Sequence, residues 1–240
     1  MQESSILFKT ACPINDKISI IIPTVEEVLE NEVDYYGLVS ALTSMPIDMM
    51  VQLADIGLDF TKVSEYELFQ IMFMGIQSQD TSLIFGDLDL SNFVQAKNPQ
   101  NGNFVFYDPE NDIMIDESIQ NLIATTLRRI HHLEKNNRKP GNIEARDYLI
   151  EKERKRLRRR RNKPYVSQLE PLIVAMVNSE PYKYDFESTK GLTIYQFNEC
   201  VHQVIRKSDW NNRMHGIYAG TVDPKELSKD ELSWIGQTTK

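Results

Sequence analysis

Four consecutive arginines, Arg158–Arg161, lie inside a charged run at residues 151–163 that reads EKERKRLRRRRNK. Like charges at this density cannot be buried together, because a low-dielectric interior penalises each charge that lacks a partner of opposite sign. Whatever fold the rest of the chain adopts, this segment must face water or a surface of opposite charge.

The charge is unevenly distributed along the whole chain. Residues 128–163 carry 15 lysines and arginines against 5 acidic residues, although the full chain has a net charge of −8. Residues 1–127 carry only 4 basic residues against 20 acidic ones. Such charge separation indicates which segment is exposed and what kind of partner it can bind, but it does not specify a reaction.

Length and composition indicate a chain that can build its own core. It has 240 residues, of which 41% are hydrophobic, and this is sufficient for one large domain or two small ones. No run reaches the roughly 18 apolar residues of a membrane span, and residues 1–13 lack the pattern of a signal peptide. We therefore expect a cytosolic protein, with Cys12 and Cys200 as free thiols because they lie far apart in sequence.

The hydrophobic pattern predicts a mainly α fold with a small antiparallel β-meander, hence an α+β class with a bundle-like helical core and a protruding basic helix. We expect one or two compact domains. The predicted segments are an N-terminal arm with short helices at 1–80, the meander at 81–116, a helical hairpin ending in the arginine-rich helix at 117–163, and a helical region at 164–240.

Local signals support these boundaries. Thr24 and Ser64 each precede a glutamate by three residues, the spacing of a capping box at a helix start. Short apolar runs at 81–85, 93–96, 104–107 and 113–115 predict the strands, with Asn101-Gly102 as a turn. The helical pattern that starts at residue 117 continues to Lys139-Pro140. Residues 228–231 give a short-helix signal near the end of the chain.

The arginine-rich segment itself predicts a helix over about residues 143–162, capped by Asn142 and ended before Pro164. Its apolar positions, Ile143, Ile150 and Leu157, lie seven residues apart, so the apolar stripe is one side chain wide. Most of this helix should therefore be exposed.

Signatures of catalysis and of cofactor binding do not occur in the sequence. It contains no GxxxxGK[ST] phosphate loop, GxGxxG turn, HExxH motif or GxSxG motif, and Cys200 and His202 have no second ligand pair at zinc spacing. We therefore predict a non-enzymatic protein that needs no cofactor and no metal.

Three interpretations of the basic run remain open: a solvated or internally paired helix face, a site for an acidic protein surface, and a nucleic-acid site. The protein-surface interpretation is favoured, since no aromatic residue interrupts the arginines to stack on bases and the rest of the chain is acidic. The acidic surface can belong to a partner or to the N-terminal region of another copy. The candidate partner-binding residues are Arg154, Lys155, Arg156, Arg158, Arg159, Arg160, Arg161 and Lys163.

Several phrases of the sequence resemble one family of proteins. They are residues 13–18 (PINDKI), 22–29 (IPTVEEVL), 45–50 (MPIDMM), 56–60 (IGLDF), 136–142 (NNRKPGN) and 210–218 (WNNRMHGIY). The chain resembles tail-morphogenesis proteins of Firmicutes bacteriophages and prophages, and among these the tail assembly chaperone class.

This resemblance implies a function. Members of the class are small, largely helical, often acidic proteins that coat the tape-measure protein and recruit tail-tube subunits during assembly. It implies binding to such clients in the host bacterial cytoplasm, and it provides no catalytic residues. Two alternatives stay open: a nucleic-acid-binding accessory protein that uses the arginine-rich helix, and a structural tail or baseplate component of the virion.

Overall fold

The computed structural model describes residues 5–99, 101–161 and 163–235. Within them the chain forms ten α-helices and two small antiparallel sheets, which confirms the α+β class. The strands are β1 (Ala11–Pro13), β2 (Ser19–Ile21), β3 (Val94–Lys97), β4 (Phe104–Asp108) and β5 (Ile113–Ile115). The helices are α1 (Val25–Glu30), α2 (Glu32–Thr43), α3 (Met50–Asp55), α4 (Glu65–Gln77), α5 (Ser82–Phe85), α6 (Glu117–His131), α7 (Ile143–Arg161), α8 (Leu169–Val177), α9 (Phe186–Lys190) and α10 (Ile194–Tyr218).

The N-terminal arm pairs with itself and enters the core. Strands β1 and β2 form an antiparallel hairpin in which Cys12 pairs with Ile20. Asn15 closes the turn, because its side-chain oxygen accepts hydrogen bonds from the backbone N–H groups of Lys17 and Ile18 at 2.9 and 2.7 Å. Ile18 and Ile20 are fully buried as a result.

One hydrophobic cluster joins the two ends of the chain. Both predicted capping boxes form, at Thr24 with Glu27 and at Ser64 with Glu67. Helix α10 begins with the same device at Thr193, and Thr24 and Thr193 form an antiparallel bridge. The main cluster accordingly runs from Ile6 to Phe197 in sequence, so the predicted N-terminal and C-terminal segments share a core.

The meander is confirmed as a three-stranded sheet in the order β3-β4-β5. The predicted strand at 81–85 is wrong, because these residues form helix α5. A five-residue apolar run suits a buried strand and a buried helical turn equally well. The surrounding residues favour the turn, since Asp80 accepts a hydrogen bond from the backbone N–H of Ser82 and Gly86 adopts a φ of 62°.

Two predicted helix ends are also corrected. Helix α6 ends at His131, where His132 takes a left-handed conformation and the N–H of Leu133 bonds to the carbonyl of Arg128 at 2.9 Å. Residues 133–142 are therefore not helical. Near the C-terminus, Ser228 and Glu231 exchange the hydrogen bonds of a capping box, but residues 228–231 make only a turn.

Glu32, which is 6% exposed, begins α2 and fixes the chain where it returns from the basic helix. Its carboxylate accepts hydrogen bonds from the backbone N–H groups of Gln168 and Leu169 at 2.8 and 3.0 Å. Burial raises the pKa of Glu32, but these bonds and one from Ser167 outweigh it and hold the pKa below its ordinary value. An acidic group thus stabilises the N-terminus of α8 from another helix.

Arg128, on α6, ties three helices together. Its guanidinium donates to the carbonyl oxygen of Thr43 at the end of α2 and to the carboxylate of Glu65 at the start of α4. Lys135 contacts the other oxygen of the same carboxylate. Because the side chains of Arg128 and Glu65 are only 8% and 13% exposed, removing one of them leaves the other charge poorly solvated.

We predict that Arg128→Met destabilises the protein by about 3 kcal/mol, since methionine fills similar space but leaves Lys135 as the partner of the Glu65 carboxylate and removes the donor to the Thr43 carbonyl. Urea unfolding followed by circular dichroism measures the change. Arg138→Met, at an exposed arginine, is the control. A loss no larger than that of the control would contradict the importance of the Arg128 contacts.

Candidate functional site

Helix α7 lies along the surface and is anchored on one side. Asn142 caps it as predicted, accepting a hydrogen bond from the backbone N–H of Ala145 at 2.7 Å. Ile150 packs against a small cluster formed by buried residues that include Leu53, Phe60 and Leu68. No residue of α7 is buried, which confirms that most of the helix is exposed. Of the predicted apolar stripe, Ile150 packs on the body, whereas Ile143 is 67% exposed.

Two ion pairs tie this side of α7 to the acidic N-terminal region. Arg146 Nη1 lies 2.6 Å from a carboxylate oxygen of Asp59, and Arg154 Nη1 lies 2.6 Å from one of Asp55. Hydrogen bonds from Thr61 and then from Arg146 lower the pKa of Asp59. Arg146 and Arg154 are therefore neutralised within the chain, as the intramolecular interpretation expected for part of the run.

The predicted partner-binding residues divide into two groups. Arg154 and Arg156 have internal partners, since Arg154 also contacts Glu151 at 3.4 Å and Arg156 contacts Glu153 at 2.7 Å. The other six are exposed and have no carboxylate within ion-pair distance in the described part of the chain. These six are Lys155, Arg158, Arg159, Arg160, Arg161 and Lys163.

An open groove runs along one side of α7. It consists of two adjoining cavities of about 740 and 710 Å³, both lined by Met50, Leu149, Glu153 and Arg156. The first cavity extends to Arg159, Arg160 and Lys163 at the C-terminal end of the helix, and the second extends to Ile47, Arg138 and Lys139. We call this surface the basic groove.

Helical geometry divides the four consecutive arginines between two sides. Arg159 and Arg160 line the basic groove, four residues after Lys155 and Arg156, which also line it. Arg158 and Arg161 lie outside the lining. They follow Arg154 and Leu157 by four residues, so they continue the other side of the helix.

Sequence reasoning did not locate the apolar part of the groove, and it overlooked Tyr148, the one aromatic residue among the described residues that line it. Leu149 lies next to the predicted stripe but falls outside its seven-residue spacing. Met50 begins α3, and no local pattern of the sequence places it beside α7, although it lines both cavities. Tyr148, which is 66% exposed, lines the first cavity, and its position four residues before Lys152, on the same side of a helix, was the available signal.

The histidines form a second cluster of titratable groups at the end of α6. The Nε2 atom of His131 lies 3.0 Å from the Tyr35 hydroxyl, and its ring packs edge-on against Tyr35 and Tyr36. Burial and the neighbouring His132 lower the pKa of His131 to about 4. His131 is therefore neutral at physiological pH and serves the packing of α2 against α6.

His132 and the two cysteines have no arrangement typical of a catalytic or metal centre. His132 lies 3.6 Å from Glu199 and stacks on His202, and within the described residues no group of three or more ligand-type side chains can hold a metal ion. Cys12 and Cys200 are free thiols. Burial raises the pKa of each thiol, which favours the unreactive protonated form.

Comparison with known proteins gives no assignment: no family model matches the chain, and neither a curated protein nor a solved structure is significantly similar to it. None of the helices in the described ranges has the length and apolar character needed to cross a bilayer.

We predict that replacing Arg158–Arg161 together by serine leaves the fold intact, because all four side chains are exposed. The melting temperature should change by less than about 3 °C, the shift that about 1 kcal/mol produces in a chain of this size. Differential scanning calorimetry provides the measurement, with Arg128→Met as the destabilised reference. A fall as large as that of the reference would mean that the arginines stabilise the body.

We also predict that His131 makes stability depend on pH. An unfolded chain protonates this imidazole near pH 6.5, whereas the folded one resists protonation until about pH 4. The unfolded state therefore binds more protons between these values, and stability falls as the pH drops from about 6.5 to about 4, by on the order of 3 kcal/mol.

His131→Gln should remove this part of the pH dependence in urea titrations across the same range. His215→Gln, at an exposed position on α10, is the control and should retain it. Parallel pH profiles for the His131 variant and the wild type would refute the assignment.

Proposed function

We propose that this protein acts by binding and not by catalysis, as a chaperone-like protein of bacteriophage tail assembly in the host bacterial cytoplasm. Its clients are a helical tail protein such as the tape-measure protein, tail-tube subunits, or both. The resemblance of the sequence to tail-morphogenesis proteins supports the biological setting. The exposed cations of α7 support binding as the mode of action.

The observation that carries the proposal is that, among the described residues, some cations of the basic segment are paired within the chain and others are not. Asp59 and Asp55 pair with Arg146 and Arg154, which attaches one side of the helix to the body. The six candidate cations without such a pair in the described ranges, Lys155, Arg158–Arg161 and Lys163, are exposed beside this attachment. A fixed row of unneutralised charge favours a complementary surface on a partner, because the helix loses little conformational freedom on binding.

Nucleic acid is the second candidate, and the position of Tyr148 favours it. This exposed ring lines the same cavity as Arg159 and Arg160, and a base can stack on a tyrosine beside cations that contact phosphates. The acidic body opposes this candidate, since 20 of the first 127 residues are aspartate or glutamate and repel phosphate at low salt.

Co-expression tests the proposal directly. A tape-measure protein encoded beside this chain should co-purify with it as a stable complex. A variant with the same six candidate cations, Lys155, Arg158–Arg161 and Lys163, replaced by glutamine should lose most of the client, because it retains the fold but not the charge. Glutamine at Lys183, Lys225 and Lys229, three exposed lysines elsewhere, is the control and should retain the client.

Two outcomes would overturn the proposal. One is failure of the wild-type protein to retain any tail client. The other is tight binding of duplex DNA at moderate salt with a steep salt dependence that the six-fold variant abolishes, which would assign the cations to nucleic acid.

A further inference from the structure

We propose that the basic groove binds one α-helix of a partner protein, and that this helix carries a row of carboxylates beside a stripe of apolar side chains. The inference rests on the proposed function, since it specifies the partner surface that α7 recognises. It also divides the candidate residues, because only one side of the arginine run takes part.

The floor of the groove is apolar. Ile47 is almost fully buried beneath it, and Met50 and Leu149 are half-buried along its length. These three side chains provide surface that gains from contact with leucine, isoleucine or valine. Methionine is flexible and adapts to different apolar shapes. A partner that offers only charge would leave this floor in contact with water.

The walls of the groove are strongly cationic. Six lysines and arginines line the first cavity against two glutamates, and both glutamates are already paired, Glu153 with Arg156 and Glu151 with Arg154. Arg138 and Lys139 extend the same charge along the second cavity. A carboxylate row on the partner would meet these cations, and the bidentate geometry of arginine suits carboxylates well.

The dimensions suit a helix. Within α7 the lining runs from Tyr148 to Arg160, and the twelve residue steps between them rise about 18 Å. A partner helix of about 12 residues spans the same length and presents side chains at i, i+3, i+4 and i+7 to one face. Apolar anchors at that spacing can contact the floor while acidic residues on either side face the walls.

The carboxylates of the groove oppose a nucleic acid as occupant. Asp48, Glu151 and Glu153 all line it, and a phosphate backbone placed between the walls would pass close to them. A partner helix avoids this repulsion because it can place neutral or basic residues at those points. The apolar floor also offers no partner for a phosphate or a sugar.

Binding of designed peptides to the full-length protein tests the inference. The probe is a fluorescent alanine-based peptide of about 18 residues, with leucines at i, i+4 and i+7 spacing and glutamates flanking them. The comparison peptide has the same composition but a scrambled order that disperses the leucines. We expect the patterned peptide to bind at least about tenfold more tightly, since only it contacts the floor and the walls together.

Two charge-matched variants test which side of α7 binds. Arg159→Ser with Arg160→Ser should weaken binding of the patterned peptide about tenfold, whereas Arg158→Ser with Arg161→Ser should weaken it less than about threefold. Both pairs remove the same charge from neighbouring exposed positions, so fold and net charge are held equal. Leu149→Gln should weaken the patterned peptide more than the scrambled one, and circular dichroism checks that its helix content is unchanged.

An equal loss of affinity in the two arginine-pair variants, or equal binding of the two peptides, would overturn the inference. Either result would mean that the groove binds only through non-specific charge. Tighter binding of a duplex DNA of similar length would also overturn it. These failures are distinguishable from failure of the proposed function, since a tail client can still co-purify when neither peptide preference is present. Conversely, selective peptide binding without any tail client would support helix binding by the basic groove and contradict the role in tail assembly.

Discussion

The position of the basic helix depends on the buried contact between Arg128 and Glu65. Arg128 joins the end of α2 to the start of α4, and the carboxylate it holds also receives Lys135 from the segment after α6. Asn136 extends this attachment, donating a hydrogen bond to Asp48 at 2.7 Å. These contacts hold the first residues of the non-helical segment that leads into α7. A buried charge requires partners at defined positions, whereas apolar packing tolerates more variation.

Ion pairs also position α7 itself, but they are more exposed than the pair of Arg128 and Glu65. Arg146 and Arg154 attach one side of the helix to Asp59 and Asp55 where hydrophobic contact is limited to the Ile150 region. Exposed pairs of this kind contribute little individually and weaken with salt. They nevertheless select a rotation of the helix, and that rotation decides which cations face the body and which line the groove.

Much of the fold follows from local signals that do not depend on distant contacts. The capping boxes at Thr24 and Ser64, the Asn142 cap and the meander were predictable because each rests on a few neighbouring residues. Helix α5 was not, since a short apolar run has no periodicity of its own. The end of α6 at His131 was missed because the apolar pattern continues through Leu133. For the site, the exposed cations were predictable from density alone, whereas the apolar floor required the pairing of α3 with α7, which lies outside any sequence window.

The packing of α3 against α7 also determines which arginines can act together. As a sequence feature, Arg158–Arg161 is a single block of four equivalent charges, and its natural interpretation is an unspecific electrostatic surface. Successive side chains of a helix point about 100° apart, so four consecutive arginines cannot all face one partner when one side of the helix packs on the body. Docking one side of α7 on the body leaves Arg159 and Arg160 beside Met50 and Leu149, and directs Arg158 and Arg161 elsewhere. The density of charge explains why the helix is exposed, but its rotation determines what it can recognise.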